Sequence, residues 1–459
     1  MNTCAALVGD KEWNTFSSID SSNKQIRDDG TVKVGTPTGT KLRVVIIGAG
    51  ASGLGAARWL VDHDINSSVE VTVLEGRDRI GGRVFTDIDR AGPGNEGALG
   101  LFDLGASWLH DPEPNNPISI MTETLKLPTK VADWENDYVY DISGKEYSDK
   151  ISNKTYAQFN SRLFAAVKQA RKRSDCSSDS NVLNRVETIS LEEICQNGNK
   201  AWSQPLTQYY ASIFDFELGV SLAEASATEC IDSDWLAAEE LEGDDGRGED
   251  IDPVFHRTGF SAVMHGLLTG AATDNEIMRP SSLHSSLLKP PVRRPITCLL
   301  RHKVLQIDQS SDDTDVSSRR LPKFIVRSAF LDESGMPLEE RIVEADAVIC
   351  TLPVGVLKSR SVIFNPPLSP SKLSAIDSVG VGNVVKVIIE FPKVFWETNA
   401  DFLGIADPAL CTGTRIISSA TPRTSMQLRG LLTLFLNGYK LCGKKILVGY
   451  GLGKFSYQS

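Results

Sequence analysis

The sequence lacks paired cysteines, long apolar runs and an excess of basic residues. Its eight cysteines are scattered, and none lies in a C-x-x-C pair. Neither a disulfide framework nor a zinc site is therefore expected, and the expected compartment is a reducing one. No apolar run reaches the roughly 18–20 residues that a membrane-spanning helix needs. A net charge of −11 argues against nucleic acid as a main partner, because phosphate binding requires a basic surface.

The N-terminus also lacks the basic and then apolar pattern of a secretory signal. Residues 1–40 are polar, which predicts a disordered leader. The rest of the chain is long enough for two or three domain-sized units, and 41% hydrophobic residues suit a globular protein. The acidic balance could steer cationic substrates, although solubility alone explains it equally well.

A glycine-rich turn between two β-branched runs is the most informative stretch. Leu42–Ile47 predicts a buried parallel strand, and Val69–Leu74 predicts a second strand that ends at Glu75. Between them, the helical sequence LGAARWLVDH follows a G-x-G-x-x-G turn at residues 48–53. Strand, glycines, helix, strand and acid in this order predict a dinucleotide-binding βαβ unit, whereas a glycine turn alone would be weak evidence.

Each contact predicted here has a physical reason. Gly48 suits a tight turn, Gly50 lets the backbone approach a pyrophosphate, and Gly53 lets helix and strand pack closely. The helix N-terminus presents unpaired N–H groups and a positive dipole end to the phosphates. Glu75 can accept hydrogen bonds from ribose hydroxyls. The predicted cofactor contacts are therefore Gly48, Gly50, Ala51, Ser52, Gly53 and Glu75.

The sequence after Glu75 points to a flavin rather than to NAD. Residues 75–83, EGRDRIGGR, resemble the E-x-x-x-R-x-G-G-R signature of the FAD-dependent amine oxidase family. Residues 103–110, DLGASWLH, resemble that family's D-x-G-A-x-W-[IL]-H segment, which lies along the flavin face. The resemblance implies FAD as the cofactor. The further contacts that it implies are Arg77, Arg83, Gly105, Ala106, Ser107 and Trp108.

Two later stretches carry the same resemblance. Residues 345–358, ADAVICTLPVGVLK, resemble the family's D-x-V-[IV]-x-T-[LV]-P-x-G-V-L-K, and residues 379–387, VGVGNVVKV, resemble the start of its substrate domain in polyamine oxidases and flavin histone demethylases. The lysine that matches Lys386 holds a water against flavin N5 in the family. A lone lysine at the start of a strand is otherwise usually a surface residue.

Two single residues take their interpretation from the resemblance as well. The valine that matches Val304 contacts adenine through its backbone. His110 matches a position near the substrate channel, although a lone histidine at a strand end is more often structural. Lys386 and His110 are thus the predicted catalytic residues, and no metal site is predicted.

The expected fold class is α/β. It comprises a Rossmann-like FAD-binding domain of the glutathione-reductase type and an α+β substrate domain with a mixed sheet and helices. The predicted parts are a disordered leader (1–40), the FAD-binding domain (41–112 and 255–358, with insertions near 271–297 and 309–321) and the substrate domain (113–254 and 359–459).

The resemblance covers roughly residues 41–455, and the family continues past the position that matches Ser459. The further part supplies a glycine- and acid-bearing motif at the flavin and an aromatic pair beside the substrate amine. A truncated product or an incomplete gene model is therefore expected. Such a chain would leave sheet edges unpaired and the flavin pocket open on one side.

The resemblance implies a polyamine oxidase-like enzyme that uses a small amine, such as spermine or spermidine, and molecular oxygen. Hydride moves from the amine's α carbon to flavin N5. Water then hydrolyses the iminium to an aldehyde and a shorter amine, and oxygen reoxidises the flavin to give hydrogen peroxide. A cytoplasmic or peroxisomal monomer is the default expectation.

Two alternatives stay open. The first is a histone-lysine demethylase of the same chemistry, against which stand the short leader and the lack of a long heptad-patterned insertion. The second is a non-catalytic remnant that binds flavin weakly or not at all. Amino-acid oxidases and desaturase-type enzymes share the N-terminal motifs, but the segments at 345–358 and 379–387 disfavour them.

Overall fold

A computed structural model provides the structure of the chain. It describes residues 24–26, 32–34, 41–64, 67–87, 102–109, 116–175, 190–196, 201–226, 253–255, 259–270, 296–310, 323–382, 384–408 and 432–452.

Helices and strands alternate through the first part of the chain, and strands dominate the rest. The described strands are β1 (Lys24–Ile26), β2 (Val32–Val34), β3 (Leu42–Ile47), β4 (Val69–Leu74), β5 (Thr86–Asp87), β6 (Phe102–Asp103), β7 (Thr129–Val131), β8 (Asp137–Asp141), β9 (Pro253–Phe255), β10 (Thr297–Leu299), β11 (His302–Gln309), β12 (Phe324–Leu331), β13 (Pro337–Ala345), β14 (Ala347–Cys350), β15 (Ile363–Asn365), β16 (Val384–Glu390), β17 (Phe402–Ala406), β18 (Leu434–Asn437) and β19 (Ile446–Leu452). The described helices are α1 (Ala51–His63), α2 (Pro117–Thr124), α3 (Asp149–Asp175), α4 (Leu191–Gln196), α5 (Pro205–Leu218), α6 (Ser261–Thr269), α7 (Val354–Lys358), α8 (Pro370–Ser378) and α9 (Gly438–Cys442).

The chain divides into two compact units, and unit 1 contains residues 1–85, 123–125 and 261–379. Its four-stranded sheet has the order β10-β4-β3-β14, and every pairing in it is parallel. The β-branched run of β3 suits this position, because the central strands of parallel sheets are covered on both faces. Helix α1 connects β3 to β4, so the predicted βαβ unit and the α/β class are confirmed.

A six-stranded sheet completes unit 1, in the order β1-β2-β13-β12-β11-β15. The sequence predicts paired strands over residues 323–330 and 341–343 around a turn at 333–335, and this hairpin is confirmed, since β12 and β13 pair antiparallel around a turn in which Gly335 has φ +82°. The run LLRHKVLQID at residues 299–308 predicts one continuous strand, which is confirmed for residues 302–308 and wrong for its start. Arg301 has φ +60°, and this left-handed residue separates β10 of the parallel sheet from β11 of the six-stranded sheet.

Two short strands lie within the segment predicted to be a disordered leader. β1 and β2 pair antiparallel with each other, and β2 runs parallel to β13. The prediction of disorder is therefore wrong for residues 24–26 and 32–34. The remainder of residues 1–40 lies outside the described part of the chain.

Unit 2 contains residues 86–122, 126–260 and 380–459. Its five-stranded sheet has the order β16-β19-β18-β17-β8, with β17 and β8 parallel and the other pairs antiparallel. The apolar periodicity of residues 155–173 predicts an amphipathic helix, and the structure confirms it as part of α3. The apolar residues of its buried face, at three- and four-residue steps, are Phe159, Leu163, Phe164 and Val167.

The division differs from the predicted domain boundaries at four places. Residues 86–112 and 255–260 belong to unit 2, whereas the sequence grouped them with the cofactor domain. Residues 123–125 and 359–379 belong to unit 1, whereas the sequence grouped them with the substrate domain. The division reflects packing and not ligand contacts, so the assignment of a cofactor domain and a substrate domain stays a prediction. None of the described helices is both long enough and apolar enough to cross a bilayer.

Candidate active site

The glycine loop of unit 1, residues 48–53, joins the end of β3 to the start of α1. Gly48 has φ +102°, and a Cβ there would lie 2.7 Å from the Thr351 hydroxyl oxygen. A Cβ on Gly53 would lie 1.9 Å from the Gly48 carbonyl oxygen, which no side chain tolerates. Both positions therefore require glycine, one for its backbone angle and one for close packing.

The N-terminus of α1 is open to a ligand. Gly50 is its N-cap residue and no side chain caps it. Ala51 and Ser52, in the first turn, are exposed. The first N–H groups of a helix have no partners within it, so this end suits a phosphate group.

Glu75 follows β4 and lies against the glycine loop. Its side chain is 9% exposed, and its two carboxylate oxygens accept hydrogen bonds from the Ala49 N–H (2.8 Å) and the Arg77 N–H (2.9 Å). Each carboxylate oxygen has a further lone pair, so Glu75 can still accept from a ribose hydroxyl. The carboxylate thus also fixes the loop that it borders.

The E-x-x-x-R-x-G-G-R stretch packs beside the same loop. The Gly81 N–H donates to the Ala49 carbonyl oxygen at 2.8 Å, and Gly81 and Gly82 both have positive φ. The guanidinium of Arg79 donates to the carbonyl oxygens of residues 80, 82 and 84 at 3.0–3.3 Å and lies over the Phe85 ring. Arg79 therefore holds the turn together, a role that the sequence analysis missed.

The two arginines predicted to contact the cofactor, Arg77 and Arg83, are exposed. Val304, by contrast, is buried as a whole residue (6% exposed) in the core of unit 1, and its contact with adenine stays a prediction. Its strand is tied to the ribose-binding candidate, since the His302 N–H donates to the Glu75 carbonyl oxygen at 2.8 Å.

Thr351 links the T-L-P stretch to the glycine loop. Its hydroxyl donates to the Ile47 carbonyl oxygen at 2.7 Å, at the point where β3 ends. The same hydroxyl oxygen is the atom nearest to the position that a Cβ on Gly48 would occupy. The stretch is visible in the sequence by resemblance, but this contact is not.

These residues of unit 1 fit a flavin dinucleotide. Exposed helix N–H groups and arginines suit the pyrophosphate, and a carboxylate with free lone pairs suits a ribose. The space at Gly50 also fits, because a Cβ there would meet nothing nearer than the Gly81 oxygen at 4.0 Å. They form one group in the structure, as predicted, although their contacts with a cofactor stay predictions.

The other predicted residues belong to unit 2, and Lys386 is at their centre. Its Nζ donates to the carbonyl oxygens of Asp103 (3.1 Å) and Gly105 (2.6 Å) and to the Ser107 hydroxyl (2.8 Å). We call Lys386, Asp103, Gly105 and Ser107 the lysine cluster. Lys386 lies about 280 positions after the other three residues in sequence, and its separation from Gly105 is 281.

Trp108 packs into an aromatic stack. Its ring lies 5.4 Å from that of Trp134 and 6.1 Å from that of Phe402. Ser107 is buried and Ala106 is exposed. His110, the second predicted catalytic residue, lies outside the described residues, so its role stays a prediction. The described residues contain no group of three or more His, Cys, Asp or Glu side chains that could hold a metal ion.

The sequence model of one protein family, described as flavin containing amine oxidoreductase, matches residues 51–441. Among curated proteins, probable polyamine oxidase 4 of Arabidopsis thaliana is 30% identical over 372 residues, which cover 80% of this chain and 61% of that protein. Polyamine oxidase 2 of Arabidopsis thaliana is 26% identical over 85% of this chain and 67% of its own length. Lysine-specific histone demethylase 2 of Homo sapiens is 27% identical over 80% of this chain and 37% of its own length.

Proposed function

The chain belongs to the flavin-containing amine oxidoreductase family, and from that premise we propose that it oxidises a small amine, most closely a polyamine such as spermine or spermidine. The family confirms FAD as the cofactor. The chain spans 61% of the length of probable polyamine oxidase 4, so the activity of the whole protein is part of this proposal.

One observation supports the amine oxidase chemistry above the others. In unit 2, the lysine of the G-x-G-N-x-x-K-V stretch hydrogen-bonds to three oxygens of the D-x-G-A-x-W segment. Two stretches that resemble the family separately are therefore in contact with each other. The glycine loop alone would fit any dinucleotide.

Each group of residues has a part in the proposed reaction. The glycine loop and Glu75 would hold the pyrophosphate and a ribose, in a domain that we assign to the glutathione-reductase type. FAD, when bound, supplies the acceptor for the hydride of the amine's α carbon. Lys386 would position water and carry a proton near the reacting carbon, and His110 would help to hold the amine.

The test is a flavin spectrum followed by a peroxide assay on the full chain loaded with FAD. A bound FAD spectrum and peroxide release with spermine or spermidine would support the proposal. A folded, flavin-loaded protein that releases no peroxide with any amine of a broad panel would contradict it. A folded protein that takes up no flavin would instead favour the non-catalytic remnant.

A second candidate substrate is a methylated lysine in a peptide. The similarity to lysine-specific histone demethylase 2 of Homo sapiens favours it, at 27% identity over 372 residues. Mass spectrometry of a methylated histone peptide after incubation separates the two. Loss of methyl groups, with no peroxide from free polyamines, would assign the chain to this second substrate.

A further inference from the structure

Asp103 is a buried carboxylate that the proposed mechanism does not use. Its side chain is 3% exposed. One carboxylate oxygen accepts from the Thr86 hydroxyl at 2.6 Å and from the Phe260 N–H at 2.9 Å. The other has no partner among the described residues. A buried carboxylate is costly unless it is paired, so its presence here calls for a function.

The two donors to Asp103 stand at the ends of unit 2 segments. Thr86 is the first residue of the first segment, and Phe260 is the last residue of the second. Gly259, with φ +72°, leaves no room for a Cβ, which would lie 2.2–2.8 Å from the Thr86 side chain. The Thr86 hydroxyl is thus confined between the Gly259 backbone and the Asp103 carboxylate.

Asp103 also contacts Lys386, which lies in the third segment of unit 2. Its main-chain carbonyl is one of the three acceptors of the Lys386 amino group. The distances from the Lys386 Nζ are 3.1 Å to the Asp103 oxygen, 2.6 Å to the Gly105 oxygen and 2.8 Å to the Ser107 oxygen, so the Asp103 contact is the longest of the three. Asp103 therefore contacts all three segments from which unit 2 is built.

We propose that Asp103 is a positioning residue: its carboxylate ties Thr86 and Phe260 to the 103–107 segment and thereby fixes the oxygens that hold the Lys386 amino group. The consequence for catalysis rests on the proposed function of Lys386 in amine oxidation. The positioning itself does not, because it concerns contacts within this chain only.

The charges of the cluster agree with this geometry. Burial raises the pKa of Asp103 to about 6, against the hydrogen bonds from Thr86 and Phe260 and the positive charge of Lys386. Burial lowers the pKa of Lys386 to about 8, and the negative charge of Asp103 opposes that shift. Among the described residues, Tyr450 also faces Lys386: its ring centroid lies 5.8 Å from Nζ, and burial raises the pKa of Tyr450. Carboxylate and ammonium are thus both charged between about pH 6 and 8.

The test measures Lys386 directly, by competitive labelling of the FAD-loaded full chain with acetic anhydride from pH 6 to 11. Only the neutral amine reacts, so mass spectrometry of the Lys386 peptide reports its ionisation, with exposed Lys393 as the internal reference. Asp103→Asn keeps the shape and one acceptor oxygen but removes the charge. We expect Lys386 to be labelled about fivefold faster at pH 7 in this variant, the change that a fall of about one unit in its pKa gives, because the ammonium has lost its anion.

The matched control is Asp401→Asn. Asp401 is also a buried carboxylate of unit 2, and it pairs with Lys440 instead. This control should leave the labelling curve of Lys386 unchanged. A curve for Asp103→Asn that coincides with the wild-type curve would overturn the proposal and leave Asp103 a packing residue.

Thr86→Val keeps the test decisive if Asp103→Asn does not fold. It removes the hydroxyl donor and preserves both size and the Asp103 charge. The oxygens of residues 103–107 that hold the Lys386 amino group should then be less firmly fixed. The labelling rate of Lys386 should therefore rise above pH 10, where the amine is neutral in both proteins. Wild-type rates there would contradict the positioning role. None of these readouts needs amine oxidation. A wild-type protein that releases no peroxide would therefore contradict the proposed function without contradicting this inference.

Discussion

The glycine loop of unit 1 and the lysine cluster of unit 2 are built from different materials. Main-chain atoms form the loop, and the absence of Cβ atoms at Gly48 and Gly53 decides its shape. An ionisable side chain and its oxygen partners form the cluster. The loop should therefore lose its shape when atoms are added, whereas the cluster should lose its function when charge is removed and should respond to pH.

The largest effect is expected from adding one methyl group to the loop. In Gly53→Ala, the new Cβ would lie 1.9 Å from the Gly48 carbonyl oxygen, and a backbone atom cannot rotate away. We expect flavin content to fall to background and the free energy of unfolding to fall by about 1–3 kcal/mol or more. Flavin absorbance per folded chain and urea unfolding measure the two effects.

Gly55→Ala is the matched control in the same helix. A Cβ on Gly55 meets nothing within 4 Å. Alanine should therefore stabilise α1 by about 0.5–1 kcal/mol through helix propensity and leave flavin content unchanged. If both variants bind flavin normally, the packing of α1 on the loop is not what the cofactor requires.

The second effect, on the cluster, comes from removing one charge. Lys386→Met keeps the length of the side chain but leaves the carbonyl oxygens of Asp103 and Gly105 without their donor. We expect flavin to bind and the rate of flavin reduction by the amine to fall about 10²–10⁴-fold, the range for a lost proton-transfer group. Stopped-flow reduction without oxygen measures this step alone.

Lys440→Met is the control for Lys386→Met, because Lys440 is also a lysine of unit 2 with a hydrogen-bonded partner, the buried carboxylate of Asp401. It should lower stability and leave the reduction rate unchanged. An equal fall in rate in both variants would mean that Lys386 acts through the stability of unit 2.

The contrast between loop and cluster also explains what the sequence could predict. β3, the glycine loop, α1 and β4 with Glu75 follow one another in the chain, and their periodicity and spacing encode local geometry, so the two strands and the helix followed from the sequence. The hydrogen bond from the Ala49 N–H to the Glu75 carboxylate did not. The break between β10 and β11 did not follow, because Arg301 is not a residue type that marks a left-handed turn.

Sequence reasoning located Lys386 but not its partners. The resemblance identified the lysine, yet nothing in the local pattern of residues 103–107 says that two carbonyls and a hydroxyl face it. Asp103 was visible as the first residue of a motif, while its contact with Thr86 depends on the pairing of β5 with β6. Contacts between distant segments carry no periodic signal, so the structure was needed to find them.

The third effect is a dependence of stability on pH that only the cluster should show. The pKa of Lys386 is about 8 in the folded chain and 10.5 in its usual range, so between these values the unfolded state binds more protons. The free energy of unfolding of the wild type relative to Lys386→Met should rise with pH in this window, by up to about 1.4 kcal/mol per pH unit.

Asp103 should give the opposite slope at lower pH. Its pKa is about 6 when folded and 3.8 in its usual range, so the folded state binds more protons between these values and stability falls as pH rises.

Urea unfolding of the wild type and of Lys386→Met at pH 7.5, 8.5 and 9.5 tests the slope that Lys386 causes. A difference in the free energy of unfolding that stays constant with pH would contradict the burial of Lys386. The difference between the wild type and Gly53→Ala should be constant with pH.

The smallest expected effect tests how much the Thr351 side chain stabilises the glycine loop. In Thr351→Val, the Ile47 carbonyl oxygen loses the hydroxyl that lies 2.7 Å away, although it keeps the Thr351 N–H at 3.0 Å. Because one of two hydrogen bonds remains, we expect a loss of about 1 kcal/mol in the free energy of unfolding, the same at pH 6 and pH 9. Thr351→Ser keeps the hydroxyl and should recover most of that loss. A loss that changes with pH would show that the Thr351 contact, too, depends on an ionisable group, and the contrast with the lysine cluster would fail.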